Sequence, residues 1–374
     1  MESASSAEVF VGLDVHRKSI VATALDDHGL RLSQVKLGVA PAELIEYLRG
    51  LPGHKQVALE AGSSWAPVYD AAESIGASVV LSNPLRTRLI ADASLKTDKV
   101  DSEALATLLR VRALPTAFAP PAEVRDLRTI VSERIYYKRR AAAIKNRTYS
   151  VLLRRGMEYE DSILSRKHKR EELRALHLSE IDRGLDTLRF FEDTCRDLDR
   201  QIHRAWLESE DAQLLSTIPG IGELTSVALV AFICPIERFS TSEKLSSYVG
   251  LCPSMRQSGE SIHHGSLKQD SNGLLRWLLV EASWTHRRKV PHGAVAKVAR
   301  RVSRRRGKPQ GTGAAAHKLV KIIHAMLKRK EAFHHQAPGP STSVESLRRP
   351  RTTARLCVRR ATLELPTANR PQAP

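Results

Sequence analysis

Apolar residues near the start of the chain are concentrated in short runs, and these runs predict β-strands. Residues 9–13 are almost continuously apolar, which is typical of a central strand buried on both faces of a sheet. Residues 19–25 form a second run of β-branched and apolar residues. The turn sequence Asp26–Gly29 then leads into a third strand that ends near residue 37. The pattern therefore predicts three successive strands over residues 8–37.

Strands and helices alternate after this point. A helix is predicted from Pro41, since proline suits the first turn of a helix. Short apolar strands follow at Gln56–Leu59 and Val79–Leu81, with helical segments between and after them. Strands first, then alternating strands and helices, predict a mixed α/β sheet domain over residues 8–121.

The middle of the chain has a helical period instead. Ile181, Leu188, Cys195 and Ile202 are spaced by seven residues, and residues 127–153 form a second helical stretch. Two long helices are therefore predicted over residues 122–208, either as an antiparallel hairpin or as a coiled coil between subunits. We expect residues 209–330 to be a mainly helical third region and residues 331–374, which lack periodicity, to be a disordered tail.

The net charge of +18 is distributed unevenly along the 374 residues. Residues 1–125 contain 13 Lys/Arg and 15 Asp/Glu, a net charge of −2, so the remaining residues carry +20. Between His286 and Lys330 there are 15 Lys/Arg and no acidic residue. A solvated basic face is the plain interpretation, but cations in this number favour binding to the phosphates of a nucleic acid.

Other sequence features exclude several classes of protein. The four cysteines lack a paired Cys-x-x-Cys spacing, so neither a zinc site nor a disulfide framework is indicated. The first ten residues show no secretory leader, and no stretch approaches the ~20 apolar residues that span a bilayer. We expect a cytoplasmic, nucleoid-associated protein that does not contact membranes.

Four acidic residues stand at positions that suit a metal site. Asp14 ends the first predicted strand and Glu60 ends the fourth, while Asp98 and Asp101 share one face at the start of a predicted helix. Each acid alone is more often a helix cap or a surface charge. Converging carboxylates repel one another unless cations intervene, so the set predicts a site for two Mg²⁺ ions. The order of the acids resembles that of the ribonuclease H-like fold, and the Asp-x-x-Asp pair resembles its RuvC-like branch.

Longer motifs carry a more specific resemblance over about residues 8–330. In the N-terminal half these are VFVGLDVHRKSIVATALDD, ALEAGSSW, SLKTDKVDSEALATLLR and KNRTYSVLLRRG. In the C-terminal half they are STIPGIGELTSVAL, YVGLCPSMRQSGE, LLRWLLVEASW and AAAHKLVKIIHAMLKR. Together they resemble the insertion-sequence-110 family of transposases, which combine a RuvC-like acidic domain with a serine-bearing domain.

The resemblance implies a DNA recombinase that uses the four acids together with a serine. Within Arg256–Gly259 the serine maps to Ser258, which sits among several serines in a segment predicted as a polar loop. The resemblance also implies a structured guide RNA that pairs with donor and target DNA, and a homo-oligomer, either a dimer or a tetramer. A serine hydroxyl is a poor nucleophile until a base or a metal activates it.

Further residues are predicted to contact nucleic acid. The turn Pro219–Gly222 resembles a helix-hairpin-helix turn whose glycines let the backbone approach a phosphate, and a plain tight turn is equally compatible. The full set of predicted contacts comprises Arg139, Arg140, Lys145, Arg147, Gly220, Gly222, Arg276, Arg304, Arg305 and Arg306.

Two other functions remain open from the sequence. A metal-dependent nuclease of the Holliday-junction resolvase kind would use the four acids to activate water, and Ser258 would then be incidental. A catalytically silent protein would only bind DNA or RNA. A covalent protein–DNA product separates a recombinase from the nuclease, and metal-dependent cleavage separates both from the silent binder.

Overall fold

The computed structural model describes residues 8–90, 98–160, 162–258, 261–267 and 271–334. These residues fall into two compact units that divide between Ala205 and Trp206. Among the described residues, no helix is both long enough and apolar enough to cross a membrane. Each unit is described separately below.

The first unit begins with a five-stranded mixed sheet in the order β3-β2-β1-β4-β5. β1 pairs antiparallel with β2 and parallel with β4, while β2–β3 is antiparallel and β4–β5 is parallel. Every residue of β2 is buried, as its apolar sequence requires. The strands are β1 (Glu8–Val15), β2 (Ile20–Leu25), β3 (Arg31–Leu37), β4 (His54–Glu60) and β5 (Ser78–Ser82).

Helices cover both faces of this sheet. Leu44, Leu48 and Val68 join the cluster of buried apolar side chains on one face, and Leu105 and Leu109 join the cluster on the other face. The first cluster involves α1 (Pro41–Gly50) and α2 (Trp65–Glu73), and the second involves α4 (Asp98–Arg110), with the short helix α3 (Pro84–Ile90) preceding it. The predicted mixed α/β sheet is therefore confirmed.

Three further helices complete the first unit. They are α5 (Ala122–Arg154), α6 (Lys167–Arg174) and α7 (Ser179–Glu208). Ile181, Leu185 and Leu188 are buried against residues of α5, in keeping with their helical spacing. Arg134 pairs with Asp199 near one end of the two long helices, and Arg155 pairs with Glu180 near the other, so α5 and α7 run antiparallel.

The second unit is mainly helical, as expected for the part of the chain that follows the sheet. Its helices are α8 (Glu210–Ser216), α9 (Glu223–Ile233), α10 (Ser242–Val249), α11 (Gly273–Lys289), α12 (Ala294–Arg306) and α13 (Lys308–Arg329). A single 3₁₀ turn spans Ile236–Arg238. The disordered tail is predicted over residues 331–374, of which residues 335–374 lie outside the described part of the chain.

One local expectation is wrong. The segment around Ser258 is predicted as a loop, but it forms β6 (Pro253–Ser258), which pairs antiparallel with β7 (Ser261–Leu267). The segment is polar and rich in serine and histidine, so it lacks the apolar alternation that marks a strand. Pairing between two neighbouring segments overrides the weak intrinsic preference of either one.

Candidate active site and nucleic-acid surfaces

Asp14 and Glu60 lie at the same edge of the sheet. Leu13 of β1 pairs with Leu59 of β4 in parallel register, and the two acids are the next residue of each strand. Parallel strands in register point equivalent side chains to the same face, so both carboxylates lie on one side of the sheet.

The face is identified by the residues that alternate with the acids. Leu13 and Leu59 belong to the apolar cluster formed with α1 and α2. Phe10 and Ala58, which point the other way, belong to the cluster formed with α4. Asp14 is four residues after Phe10, so its side chain shares the face that α4 covers.

Gly12 allows α4 to approach this face very closely. A Cβ atom on Gly12 would overlap the carbonyl oxygen of Ser102 and would lie 2.6 Å from the amide nitrogen of Ala106. The hydroxyls of Thr23 and Ser102 form a buried hydrogen bond of 2.7 Å beside this contact. Backbone contact and hydrogen bond together fix the position of the helix against the sheet.

The direction of α4 brings its first turn towards Asp14. Ser102 faces Gly12, whereas Leu105 and Leu109, further along the helix, pack with Phe10. The helix therefore runs opposite to β1, and its N-terminal end points towards the carboxyl end of the strand. Asp101 immediately precedes Ser102 and is half-buried. Asp98 is the first residue of α4, and its side chain lies outside the described residues.

Asp14 has a partner that the sequence interpretation missed. His16 Nε2 lies 2.8 Å from Asp14 Oδ2, so the imidazole donates a hydrogen bond when its proton is on Nε2. The Asp14 side chain is 18% exposed, and that of His16 is 47% exposed. The signal was present in the sequence, because residues two apart in an extended chain point to the same side.

The donor set is chemically suited to a hard divalent cation. Asp14, Glu60 and Asp101 offer carboxylate oxygens, the ligands that Mg²⁺ and Ca²⁺ prefer. Among the residues with described side chains, no group of three His, Cys, Asp or Glu is arranged to hold a metal ion. Asp98, the fourth acid of the predicted set, is not among them. The convergence of all four carboxylates stays a prediction.

Ser258 is the last residue of β6 and pairs with Ser261 at the start of β7. The side chains of residues 253–270 lie outside the described set, so only this backbone position is established. Its role as a nucleophile stays a prediction.

The two glycines of the Pro219–Gly222 turn have different surroundings. Gly220 has a φ of +103°, and a Cβ there would lie 2.7 Å from the amide nitrogen of His286 in α11. His286 is buried, and its Nδ1 lies 2.8 Å from the Pro219 carbonyl oxygen. Gly222 is the N-terminal cap of α9, and a Cβ there would meet no atom within 4 Å. Packing against α11 thus explains why a side chain is excluded at Gly220. At Gly222 no atom lies close to the backbone, so a ligand can approach it.

The cations of α12 form one exposed face. Lys297, Arg300, Arg301, Arg304 and Arg305 recur at helical spacing and together line a shallow depression. Arg300 donates a hydrogen bond to the carbonyl oxygen of Pro291 at 2.6 Å. In the described part of the chain, no carboxylate pairs with any of the five. Unneutralised cations in a row suit a phosphate backbone.

The cations of α5 divide between two sides of the helix. Lys145 lies 3.5 Å from Glu192 of α7 and therefore helps to join the two helices. Arg139, Arg140 and Arg147 are exposed, and the Arg140 guanidinium lies over the Tyr136 ring at 4.9 Å. These three side chains are accessible at the surface of the helix. Arg276 is half-buried on α11.

Comparison with known proteins adds independent findings. Residues 11–155 match a family model of DEDD-type IS110 transposases, and residues 212–296 match a model described as Transposase IS116/IS110/IS902 family. The transposase for insertion sequence element IS1111A of Coxiella burnetii is 27% identical over 256 residues, covering 64% of this chain and 69% of the relative. The pilin gene-inverting protein of Moraxella lacunata is 29% identical over 195 residues, covering 49% of this chain and 58% of the relative.

Proposed function

This chain is a DNA transposase of the IS110 family, and we propose that it cuts DNA at the carboxyl edge of its N-terminal sheet. The observation that carries the proposal is the backbone contact between Gly12 and Ser102. That contact directs the first turn of α4, with Asp101, towards the strand end that bears Asp14. Acids on separate elements would then meet at one edge of the sheet, as a metal-dependent phosphoryl-transfer site requires.

The sheet supports assignment to the ribonuclease H-like fold and its RuvC-like branch. Three antiparallel strands come first, and two parallel strands with intervening helices extend the sheet beyond β1. On this assignment residues 8–121 form the acidic catalytic domain, 122–208 the helical coiled-coil segment and 209–330 the serine-bearing domain.

Asp14, Glu60, Asp98 and Asp101 would hold the Mg²⁺ ions. Bound there, the ions would neutralise charge on the scissile phosphate and lower the pKa of an attacking hydroxyl. The protein itself holds all four acids on regular elements, since Asp14 and Glu60 are near the ends of strands and the other two are in α4, which packs against the sheet. His16 would orient the Asp14 carboxylate through its hydrogen bond.

Ser258 would provide the nucleophile. Its Oγ attacks the scissile phosphorus, its proton passes to a base, and the bond from phosphorus to one sugar oxygen breaks. The released sugar oxygen takes up a proton, and the remaining part of the cleaved strand, which keeps the phosphate, stays attached as a phosphoserine ester. A hydroxyl of the incoming strand then attacks this ester and restores the serine. The bond energy is conserved, so rejoining requires no nucleotide hydrolysis.

The basic surfaces would hold the substrate. Arg304, Arg305 and Arg306 end α12 in the acid-free segment, and Arg139, Arg140 and Arg147 are exposed on α5. We assign donor and target DNA as ligands, with a structured guide RNA and a homo-oligomer following from the family resemblance. A relative that is named for inverting a pilin gene supports a reaction in which strands are both cut and rejoined.

The deciding experiment is detection of a covalent protein–DNA adduct. Labelled donor DNA is incubated with the protein, guide RNA and Mg²⁺, and the products are separated on a denaturing gel and mapped by peptide mass spectrometry. We expect an adduct at Ser258 that disappears in Ser258→Ala and persists in the controls Ser254→Ala and Ser261→Ala. Asp14→Asn should abolish cleavage and leave DNA binding intact.

Two results would overturn this assignment. An adduct that persists in Ser258→Ala would remove the serine from the mechanism. Metal-dependent cleavage by the wild type without any adduct would instead identify a nuclease that activates water.

A further inference from the structure

Helix α11 buries one face and exposes two tryptophans on another. Trp277 is 40% exposed and Trp284 is 47% exposed, whereas Leu275, Leu279 and Ala282 are buried in the second unit. Exposing a large aromatic side chain to water costs free energy in proportion to the apolar area that is exposed. The helix that packs one face into the core of the second unit therefore presents an aromatic surface to solvent on another face.

The two tryptophans lie on one stripe of the helix. They are seven residues apart, which is close to two full turns and about 10.5 Å along the axis. Glu281 is exposed between them, and Arg288 continues the same stripe towards the end of the helix. A spacing of about 10.5 Å is too long for one aromatic ligand to contact both rings, so the stripe suits two separate planar groups.

The charge of the stripe changes from acidic at its centre to basic towards the C-terminus of α11. Its centre holds the Glu281 carboxylate, and in the described part of the chain no cation pairs with that group. Its far end, at the C-terminus of α11, is cationic. Arg287 lies over the Trp284 ring at 4.1 Å, and Arg288 and Lys289 follow it in the sequence. The acid-free segment His286–Lys330 begins at this same end.

We propose that the Trp277–Trp284 stripe of α11 binds unpaired nucleobases of a DNA strand. Each indole offers a flat face on which a base stacks, as in proteins that bind single strands. The Glu281 carboxylate accepts hydrogen bonds from exocyclic amino groups of bases, and it would repel phosphates. The cations at the far end then meet the backbone of the same strand.

Two other occupants fit less well. A duplex backbone presents phosphates and not base faces, so it would meet the carboxylate and leave the rings exposed. A second copy of this chain carries a net charge of +18, which opposes docking beside the acid-free segment. An unpaired strand matches both the two aromatic rings and the cationic end.

This inference rests on the proposed function, because strand exchange exposes unpaired bases when a duplex is opened. The stripe would hold those bases while strands are cut and rejoined. Stacking on tryptophan does not depend on which base is present, because every base has a flat face. A site of this kind therefore suits strand exchange.

The test compares wild type with Trp277→Leu/Trp284→Leu, which keeps apolar side chains and removes the aromatic faces. Binding to a fluorescein-labelled poly-dT strand of about 20 nucleotides, an abasic strand of equal length and a duplex of the same length is followed by fluorescence anisotropy. Loss of stacking should weaken binding to poly-dT by roughly tenfold or more for each tryptophan. Binding to the duplex and to the abasic strand should change less than about threefold.

Three controls make the result decisive. Phe190→Ala removes an exposed aromatic ring from α7 and should bind poly-dT as the wild type does. Trp277→Phe/Trp284→Phe should recover most of the lost affinity. Photocrosslinking of the wild type to a 5-iodouracil strand should give adducts at Trp277 or Trp284, and this measurement needs no variant to fold.

The outcomes distinguish this inference from the proposed function. Unchanged poly-dT affinity in the leucine variant, or crosslinks only outside α11, would overturn the stripe and leave transposase activity untouched. If the leucine variant had half the wild-type mass by light scattering and unchanged DNA affinity, the stripe would instead be an interface between copies of this chain. Failure of the wild type to bind any of the three DNAs would count against the proposed function itself.

Discussion

Gly12 and Ser102 touch backbone to backbone, because a side chain at Gly12 would occupy the position of the Ser102 carbonyl oxygen. This contact between the central strand and α4 is the geometric basis of the candidate active site. Asp14 lies two residues beyond Gly12, and Asp101 lies one residue before Ser102. The distance between strand and helix thus controls how closely the acids approach.

Gly12→Ala should separate α4 from the sheet. The added methyl group cannot fit, so we expect the free energy of unfolding to fall by about 3 kcal/mol, measured by urea denaturation. Gly50→Ala is the control, since a Cβ there meets no atom within 4 Å and alanine favours the helix that Gly50 ends. A Gly12→Ala protein as stable as Gly50→Ala would contradict the close approach.

Asp101→Asn should reduce Mg²⁺-dependent DNA cleavage by at least roughly 100-fold, because it removes a negative charge from the proposed metal ligands. The matched control is Glu103→Gln on the same helix. The Glu103 side chain is 43% exposed and its Oε2 lies 3.4 Å from Arg31 Nη1, so its loss should change the rate by less than about twofold. Single-turnover cleavage with saturating protein measures both. Equal effects of the two substitutions would remove Asp101 from the site.

The sheet can be predicted from the sequence because the local order of apolar and polar residues determines where its strands lie. A continuous apolar run at residues 9–13 and an alternation of strands with helices are visible without any knowledge of contacts. The four acids are predicted as a set for the same reason, since each stands at the end of a predicted strand or in the first turn of a predicted helix. Their side of the sheet follows from the alternation along β1 and β4.

Other features depend on tertiary packing that no local pattern reveals. Gly12 appears in the sequence as one small residue in a strand, and only the neighbouring helix shows why a larger residue is excluded. The β6–β7 hairpin is missed because its segments are polar. The environment of Gly220 is also tertiary, because the backbone that it contacts belongs to His286, far along the chain.

Gly220→Ala and Gly222→Ala should have different effects. At Gly220 a Cβ meets the α11 backbone and φ is positive, so stability should fall by about 2–3 kcal/mol in thermal or urea unfolding. At Gly222 there is open space, so stability should stay within about 0.5 kcal/mol. If a phosphate approaches this turn, Gly222→Ala alone should weaken DNA binding at unchanged stability. Destabilisation by Gly222→Ala would contradict the open geometry.

Cys234 should be unreactive at neutral pH. Burial raises the pKa of this thiol to about 12, and the nearby Asp211 carboxylate, whose Oδ2 is 3.8 Å from Sγ, adds to the effect. Alkylation by iodoacetamide at about pH 8 should be at least roughly 100-fold slower than for an unhindered thiol, because only the thiolate reacts. Peptide mass spectrometry measures the rate, and the same cysteine in urea is the control.

The same pKa predicts how stability changes with pH. A thiol with a raised pKa holds its proton more tightly in the folded state, so its contribution is complete below the unfolded pKa of about 8.5. That contribution is lost as pH rises from there towards a folded pKa of about 12. The unfolding free energy of the wild type should therefore fall more steeply between about pH 8 and pH 10 than that of Cys234→Ser. Parallel curves would contradict the assignment.

The exposed arginines at the end of α12 should account for a measurable part of the salt dependence of DNA binding. Arg304, Arg305 and Arg306 have no acidic neighbour in sequence, and each phosphate that they neutralise releases counterions. Replacing all three with glutamine should flatten the log–log dependence of the binding constant on salt by up to about 0.9 for each phosphate that is no longer neutralised.

A variant with the same change in charge provides the control for this prediction. It replaces three exposed arginines that already pair with carboxylates, namely Arg155 with Glu180, Arg166 with Glu160 and Arg200 with Asp197. If net charge alone governs binding, both triple variants flatten the slope equally. If α12 contacts the backbone directly, only the α12 variant does so. Anisotropy titrations of one duplex from about 50 to 300 mM salt separate the two, and an unchanged slope in the α12 variant would mean that this face of the helix remains in solvent.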